Sequence, residues 1–200
     1  MKDLTENCQT TTYINSNELG AITKFTECFY SHLLQKAPHH NNILILCIGT
    51  DRATGDSLGP IIGYKLKNFK HKNVFVYGTL DNPVHAKNLT SVIEEISGLY
   101  VNPLIIAIDA CLGKVEHVGY ITVSKGFIRP GAGVNKDLPP VGDIAVTGIV
   151  NFSGLMDMLV LQNTRLNIVM KMADIISSGI NHALWKYEQY TLEQIYNLPS

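Results

Sequence analysis

The chain has 200 residues, of which 46% are hydrophobic, and its formal net charge is -1. This length accommodates one ordinary domain with a sizeable core, and this hydrophobic content excludes a disordered chain. The near-neutral charge gives no electrostatic reason to expect a nucleic acid or an anionic membrane as partner.

The first eighteen residues are polar, and we expect a flexible lead-in there. They lack the basic start and apolar core of a signal peptide. No apolar run approaches the length needed to cross a bilayer, and the four cysteines show no CxxC pair. These features predict a soluble protein of the reducing cytoplasm.

Apolar patterning predicts alternating helices and strands after the lead-in. The expected elements of the first half are a helix over about 19–33, a buried strand at 43–48, a helix over 58–68, a strand at 74–77 and a helix near 86–96. Those of the second half are strands at 104–109, 118–123 and 143–150, and helices at 152–161 and 165–187.

This alternation predicts an α/β fold, a three-layer sandwich with a mostly parallel central sheet. We expect one domain over residues 19–187 and a tail over 188–200. Residues 126–142 form a long loop rich in Gly and Pro, and loops of this length are often functional lids.

Asp56 and Asp109 are the first candidates for catalysis. Each stands at or just beyond the end of a short apolar run that reads as a buried parallel strand. Ligands of open parallel sheets bind beyond the carboxyl ends of the strands, so two acids delivered there can share a water or a metal ion.

Both acids also have plain structural interpretations. Asp56 stands where a strand gives way to a helix, so its carboxylate could cap that helix, a role compatible with catalysis. Asp109 could form a salt bridge or cap a loop as an Asx turn, although a charge is seldom left unpartnered at the end of an apolar strand.

The glycine-rich segment after the first strand does not match a phosphate-binding motif. It has no GK[ST] and no GxGxxG spacing, so Gly49, Gly55 and Gly59 are interpreted as turn positions that need close backbone approach or positive φ. Residues 55–58 also spell GDSL, the esterase motif in which Ser57 would be the nucleophile. The Asp-x-x-His pair that supplies the base is missing, because Gly179 stands three residues before His182.

His85 lies in the loop after the second strand and could reach the same edge of the sheet. A histidine near two acids can act as a metal ligand or a proton shuttle, although a lone loop histidine is more often simply solvated. The tentative metal ligands are therefore Asp56, Asp109 and His85, for a divalent ion. The sequence contains no HExxH motif and no paired-cysteine zinc site.

The acidic segments resemble those of the spore germination proteases and, more distantly, the hydrogenase maturation peptidases. The matching residues are Asp56-Ser57-Leu58-Gly59-Pro60 and Ile108-Asp109-Ala110. Segments 47–52, 78–86 and 147–151 are similar to the YyaC-type sporulation proteins. The maturation peptidases bring a histidine ligand from a late loop, and residues 143–151 contain none, which argues against hydrogenase processing.

The resemblance implies an α/β fold of the germination-protease type and a peptidase whose two catalytic aspartates are Asp56 and Asp109. It implies protein substrates, such as small acid-soluble spore proteins, and a location in the forespore or spore core. Two alternatives stay open: a non-catalytic sporulation protein that binds a peptide or metal, and an esterase that uses Ser57.

Overall fold

A computed structural model describes residues 11–130, 138–154 and 156–196. The described strands are β1 (Thr12–Asn15), β2 (Ile43–Cys47), β3 (Val74–Tyr77), β4 (Leu104–Gly113), β5 (Tyr120–Lys125) and β6 (Ile144–Phe152). The described helices are α1 (Ala21–Lys36), α2 (Leu58–Leu66), α3 (Leu89–Leu99), α4 (Asp157–Gln162) and α5 (Leu166–Tyr196). None of these helices combines the length and hydrophobicity needed to span a bilayer.

The six strands form one sheet in the order β1-β5-β6-β4-β2-β3. Strands β3, β2, β4 and β6 run parallel, whereas β5 is antiparallel to β6 and β1 is antiparallel to β5. Helices pack on both sides of the sheet, which confirms the predicted α/β sandwich. The carboxyl ends of β2 and β4, which are direct neighbours, therefore meet at one edge.

The two sides of the sheet are covered differently. The first face packs against α1, α2 and α5 and includes Ile45 and Ile106 in a large apolar core. The second face packs against α3 and the segment 138–142, and its smaller core includes Leu46 and Ala107. Successive residues of each strand point to opposite faces, so both cores draw on the same apolar runs.

The chain enters the sheet earlier than predicted. Strand β1 lies inside the expected lead-in, because Ile14 is buried and residues 12–15 pair with β5. Strand β4 extends past Asp109 because its last residues pair with β6 after a bulge between Cys111 and Leu112.

The last helix ends later than predicted. Helix α5 continues beyond residue 187 to Tyr196, and the start of this extension is anchored where Glu188 accepts a hydrogen bond from the backbone N–H of Lys72. Helix α3 starts at Leu89 and not near residue 86, because the backbone N–H of His85 is held by the side chain of Asn88.

Candidate active site

Asp56 is carried over the carboxyl edge of the sheet by the loop that follows β2. It lies in one turn of 3₁₀ helix (Gly55–Ser57) directly before α2. The backbone N–H of Thr50 donates to its Oδ2 atom at 3.0 Å and to its carbonyl oxygen at 3.1 Å. No side-chain capping bond forms at the start of α2, so the predicted capping role of Asp56 is wrong.

Two glycines let this loop press against the end of β2. A Cβ atom at Gly59 would overlap the carbonyl oxygen of Ile48, and one at Gly49 would overlap the carbonyl oxygen of Asp56. Gly49 also has a φ of 140°, which side-chain-bearing residues rarely adopt. Both glycines therefore serve close backbone approach, as expected from the sequence, and they fix the position of Asp56.

Asp109 is held within β4 itself. It follows Ile105 and Ala107 on the second face and pairs in parallel register with Thr147 of β6. The backbone N–H of Ala110 donates to its Oδ1 atom at 2.8 Å. One carboxyl oxygen of each aspartate is thus bound to the backbone, and within the described residues the other oxygen receives no hydrogen bond.

Both aspartates line one cleft of about 750 Å³ at the carboxyl edge of the sheet. Its walls include apolar side chains of the strand ends, the 126–142 loop and α4: Ile48, Ile128, Leu138, Met158 and Leu161. Three exposed cations stand at its rim: Arg52, Lys87 and Arg129. The two candidate acids therefore share an apolar, peptide-sized space with a basic rim.

The surroundings of Asp56 and Asp109 shift the pKa values of their carboxyl groups to different extents. Burial raises the pKa of Asp109 well above its ordinary value, and the charge of Asp56 raises it further, against a smaller opposing effect of the Ala110 N–H. Burial also raises the pKa of Asp56, but the Thr50 N–H and the charge of His85 oppose that shift. Asp109 is therefore the group that retains a proton, and Asp56 is the group that ionises first.

His85 is positioned at the cleft by its neighbour Val84, which pairs just past the end of β2. Val84 forms a parallel bridge with Ile48, and His85 then lines the cleft. Within the described ranges, however, no group of three or more His, Cys, Asp or Glu side chains is placed to hold a metal ion. Asp56, Asp109 and His85, the tentative ligand set, therefore do not form such a group in this structure.

Ser57 does not face the cleft. Its side chain is buried, and its hydroxyl donates to the carbonyl oxygen of Thr54 at 2.6 Å. His182, the C-terminal histidine, is exposed on α5. A buried serine whose hydroxyl donates to the backbone, and which among the described residues has no hydrogen bond to a histidine, is not an activated nucleophile, so the esterase hypothesis is not supported.

The predicted lid is described only at its two ends. Ile128 and Val141 pair across the loop with two backbone hydrogen bonds of 3.0 Å. Arg129, Pro130 and Leu138 line the cleft. Residues 131–137 lie outside the described residues, so closure of this loop over the site stays a prediction.

Sequence patterns did not single out several residues of the cleft. Thr147 and Cys111 lie on its floor, and Asp157 and Met158 of α4 lie in its wall. The strand pattern around 143–150 carried a usable signal, since Thr147 interrupts a run of small or apolar residues from Ile144 to Val150. The pairing of β6 with β4 was needed to bring it beside Asp109.

The chain is similar to a family of proteins, to one bacterial protein and to one solved structure. A family model described as a protein of unknown function (DUF1256) matches residues 13–179. The uncharacterized protein YyaC of Bacillus subtilis (strain 168) is 49% identical over 173 residues, which cover 85% of this chain and 84% of that protein. Among solved structures, the NiFe hydrogenase maturation protease HycI from Thermococcus kodakarensis KOD1 matches with a TM-score of 0.41 and 15% identity, covering 74% of this chain and 97% of that one. The family match includes both aspartates.

Proposed function

The chain belongs to the DUF1256 family, and from that premise and the geometry of its cleft we propose that it hydrolyses peptide bonds with Asp56 and Asp109. One observation carries the proposal: two carboxyl groups line the same cleft, and the charge of one raises the pKa of the other. Acids so placed divide one proton between them, which is what general acid–base hydrolysis requires.

The reaction begins with Asp56 as the base. Its free carboxyl oxygen takes a proton from a water molecule while protonated Asp109 polarises the carbonyl oxygen of the scissile bond. The water oxygen bonds to the carbonyl carbon, and the proton of Asp109 passes to the carbonyl oxygen. Asp56 then gives its proton to the leaving amine, the C–N bond breaks, and Asp109 recovers a proton from the collapsing diol.

The surroundings of each acid suit its part in this cycle. Burial raises the pKa of Asp56, but the N–H of Thr50 and the charge of His85 oppose that shift and so favour the ionised form, as a base needs. Burial favours the protonated form of Asp109, as an acid needs. The apolar walls keep bulk water from competing for the reacting carbonyl group.

We propose small acid-soluble spore proteins as the first substrates to test, with action in a sporulating cell. The sequence similarity of segments 56–60 and 108–110 to the germination proteases supports this choice.

The test compares Asp56→Asn and Asp109→Asn with Asp157→Asn, using spore proteins and a peptide library. Asn cannot exchange a proton with water, so each of the first two changes should lower kcat/KM by about 10²–10⁴-fold or more. Asp157 also lines the cleft, but its carboxylate caps the backbone N–H of Gly154, a role that Asn can fill. Asp157→Asn should therefore stay within a few-fold of wild type.

Circular dichroism would check that all three variants keep the fold, and a chelator should leave the wild-type rate unchanged. If wild type cleaves nothing, and if it binds peptides as tightly as the two aspartate variants do, the protein is a binding protein and not a peptidase.

A further inference from the structure

A hydroxyl group lies on the floor of the cleft beside Asp109. Thr147 stands in β6, in parallel register with Asp109 of β4, and its side chain lines the cleft. The two side chains extend from neighbouring strands on the same face, which puts them within reach of one substrate atom. The catalytic cycle above makes no use of Thr147.

Two neighbours engage the oxygen of Thr147. The Oγ1 atom of buried Thr122 lies 2.6 Å away, and the Sγ atom of Cys111 lies 3.6 Å away. The Cys111 thiol is the donor of this contact, since S–H is a weak hydrogen-bond donor and the threonine oxygen has two acceptor positions. The Cys111 thiol therefore occupies one of the two acceptor positions of the Thr147 oxygen.

The direction of the bond between the two threonines follows from burial. Thr122 is 8% exposed, and among the described residues its hydroxyl has no hydrogen-bond partner other than Thr147. If Thr147 donated, the proton of Thr122 would be left buried and unpaired, which costs about 1–3 kcal/mol. Thr122 therefore donates, and the second acceptor position of Thr147 is filled.

The hydroxyl proton of Thr147 is then bound to neither neighbour. The oxygen is tetrahedral, and its bonds to Cβ, Thr122 and Cys111 take three of its four directions. The fourth direction is taken by neither neighbour, and Thr147 lines the cleft. The fold thus holds a hydrogen-bond donor ready beside the proton-bearing carboxyl group.

We propose that Thr147 is a third catalytic residue, whose hydroxyl donates a hydrogen bond to the same carbonyl oxygen that Asp109 protonates. This inference rests on the proposed peptidase function. Charge develops on that oxygen as water attacks, and a donor fixed in advance stabilises it without reorganisation in the transition state. Thr122 and Cys111 are positioning residues, since they set the direction of the Thr147 hydroxyl and do not touch the substrate.

The test separates a transition-state contact from a structural role. Thr147→Val keeps the shape and removes the donor, so kcat should fall about 10–100-fold, somewhat less than the loss of a stronger oxyanion donor. KM should stay within a few-fold. Thr147→Ser restores the hydroxyl and should recover most of kcat.

Thr26→Val is the matched control. It removes a buried hydroxyl from α1, where the Thr26 Oγ1 atom donates to the carbonyl oxygen of Ile22, and Thr26 does not line the cleft. Its unfolding midpoint should drop, while its kcat should stay within a few-fold of wild type. Equal loss of kcat in both valine variants, or no rescue by serine, would mean that Thr147 has only a structural role.

Failure of this inference differs from failure of the proposed function. If Asp109→Asn is inactive while Thr147→Val cleaves at the wild-type rate, the role of Thr147 is overturned and the peptidase stands. If wild type cleaves none of the spore proteins or library peptides, both proposals fall together.

Discussion

The carboxyl end of β4 is packed differently on the two faces of the sheet. On the first face, apolar packing continues past this point, since Ile108 is fully buried in the large core and Ala110 packs against it. On the second face, the core supplied by α3 and the 138–142 segment reaches Ala107 and stops. The next residue on that face is Asp109, in the cleft.

Ile108 and Asp109 are adjacent in sequence, yet one belongs to a packed core and the other to a candidate active site. The difference teaches that the site arises where helix cover ends on one face while the other face keeps the strand rigid. Stability and chemistry should therefore be separable by substitutions on the two faces.

The largest expected change in stability comes from the first face. Phe29 of α1 is fully buried and stacks on Phe25, with ring centroids 5.8 Å apart. Phe29→Ala should lower the free energy of unfolding by about 3–5 kcal/mol, because it leaves a cavity in the core. Urea unfolding measures the loss. The kcat of the fraction that remains folded should be unchanged, and a parallel fall in kcat would show that the faces are not independent.

On the second face, a substitution of Asp109 should change how stability depends on pH. The pKa of Asp109 is raised in the folded state above its unfolded value of about 3.9. Between those two values the folded protein holds a proton that the unfolded chain has released, so stability falls as pH rises through this window. Asp109→Asn removes this dependence.

The unfolding free energy of Asp109→Asn minus that of wild type should therefore grow as pH rises from about 4 through the folded-state pKa of Asp109. Urea titrations at a series of pH values measure it. If the unfolding free energies of the two proteins change with pH in parallel across this window, Asp109 is not protonated in the folded protein.

A smaller effect is expected from Ser57→Ala. The change removes the hydrogen bond to the carbonyl oxygen of Thr54, worth about 1 kcal/mol of stability. Peptidase activity should be retained, because the Ser57 hydroxyl does not face the cleft. Loss of activity in a variant with a normal circular dichroism spectrum would revive the esterase hypothesis.

The smallest expected effect is that of His85→Ala on the pH profile. The charge of His85 lowers the pKa of Asp56, so its removal should move the acidic limb of the kcat/KM profile to higher pH. His182→Ala, at an exposed position on α5, serves as the control and should leave the profile in place. An acidic limb that does not move would mean that His85 exerts no charge effect on Asp56.

The position of the two aspartates at one edge of the sheet could be predicted from the sequence alone. Each stands at or just past the end of an apolar run, and parallel strands bring such ends together. Strand β1 could not be foreseen, since four residues with one core side chain, Ile14, give too little alternation to recognise.

The remaining members of the site depend on contacts between distant strands. Thr147 comes to lie beside Asp109 only because β6 pairs with β4. The direction in which its hydroxyl donates depends further on Thr122 of antiparallel β5. Local propensity does not encode such pairings. The proposed ligand set with His85 depends on such contacts as well, because sharing an edge does not by itself bring three side chains within reach of one ion; the described residues contain no such group.

The backbone packing at Gly49 and Gly59 has a consequence for transplanting this site. A saturation scan should score both glycines as intolerant as Asp56, although neither carries a reactive group, because any Cβ there meets a carbonyl oxygen. Anyone grafting the acid pair onto another scaffold must therefore reproduce the loop-to-strand contact at Ile48 first and add the carboxyl groups second.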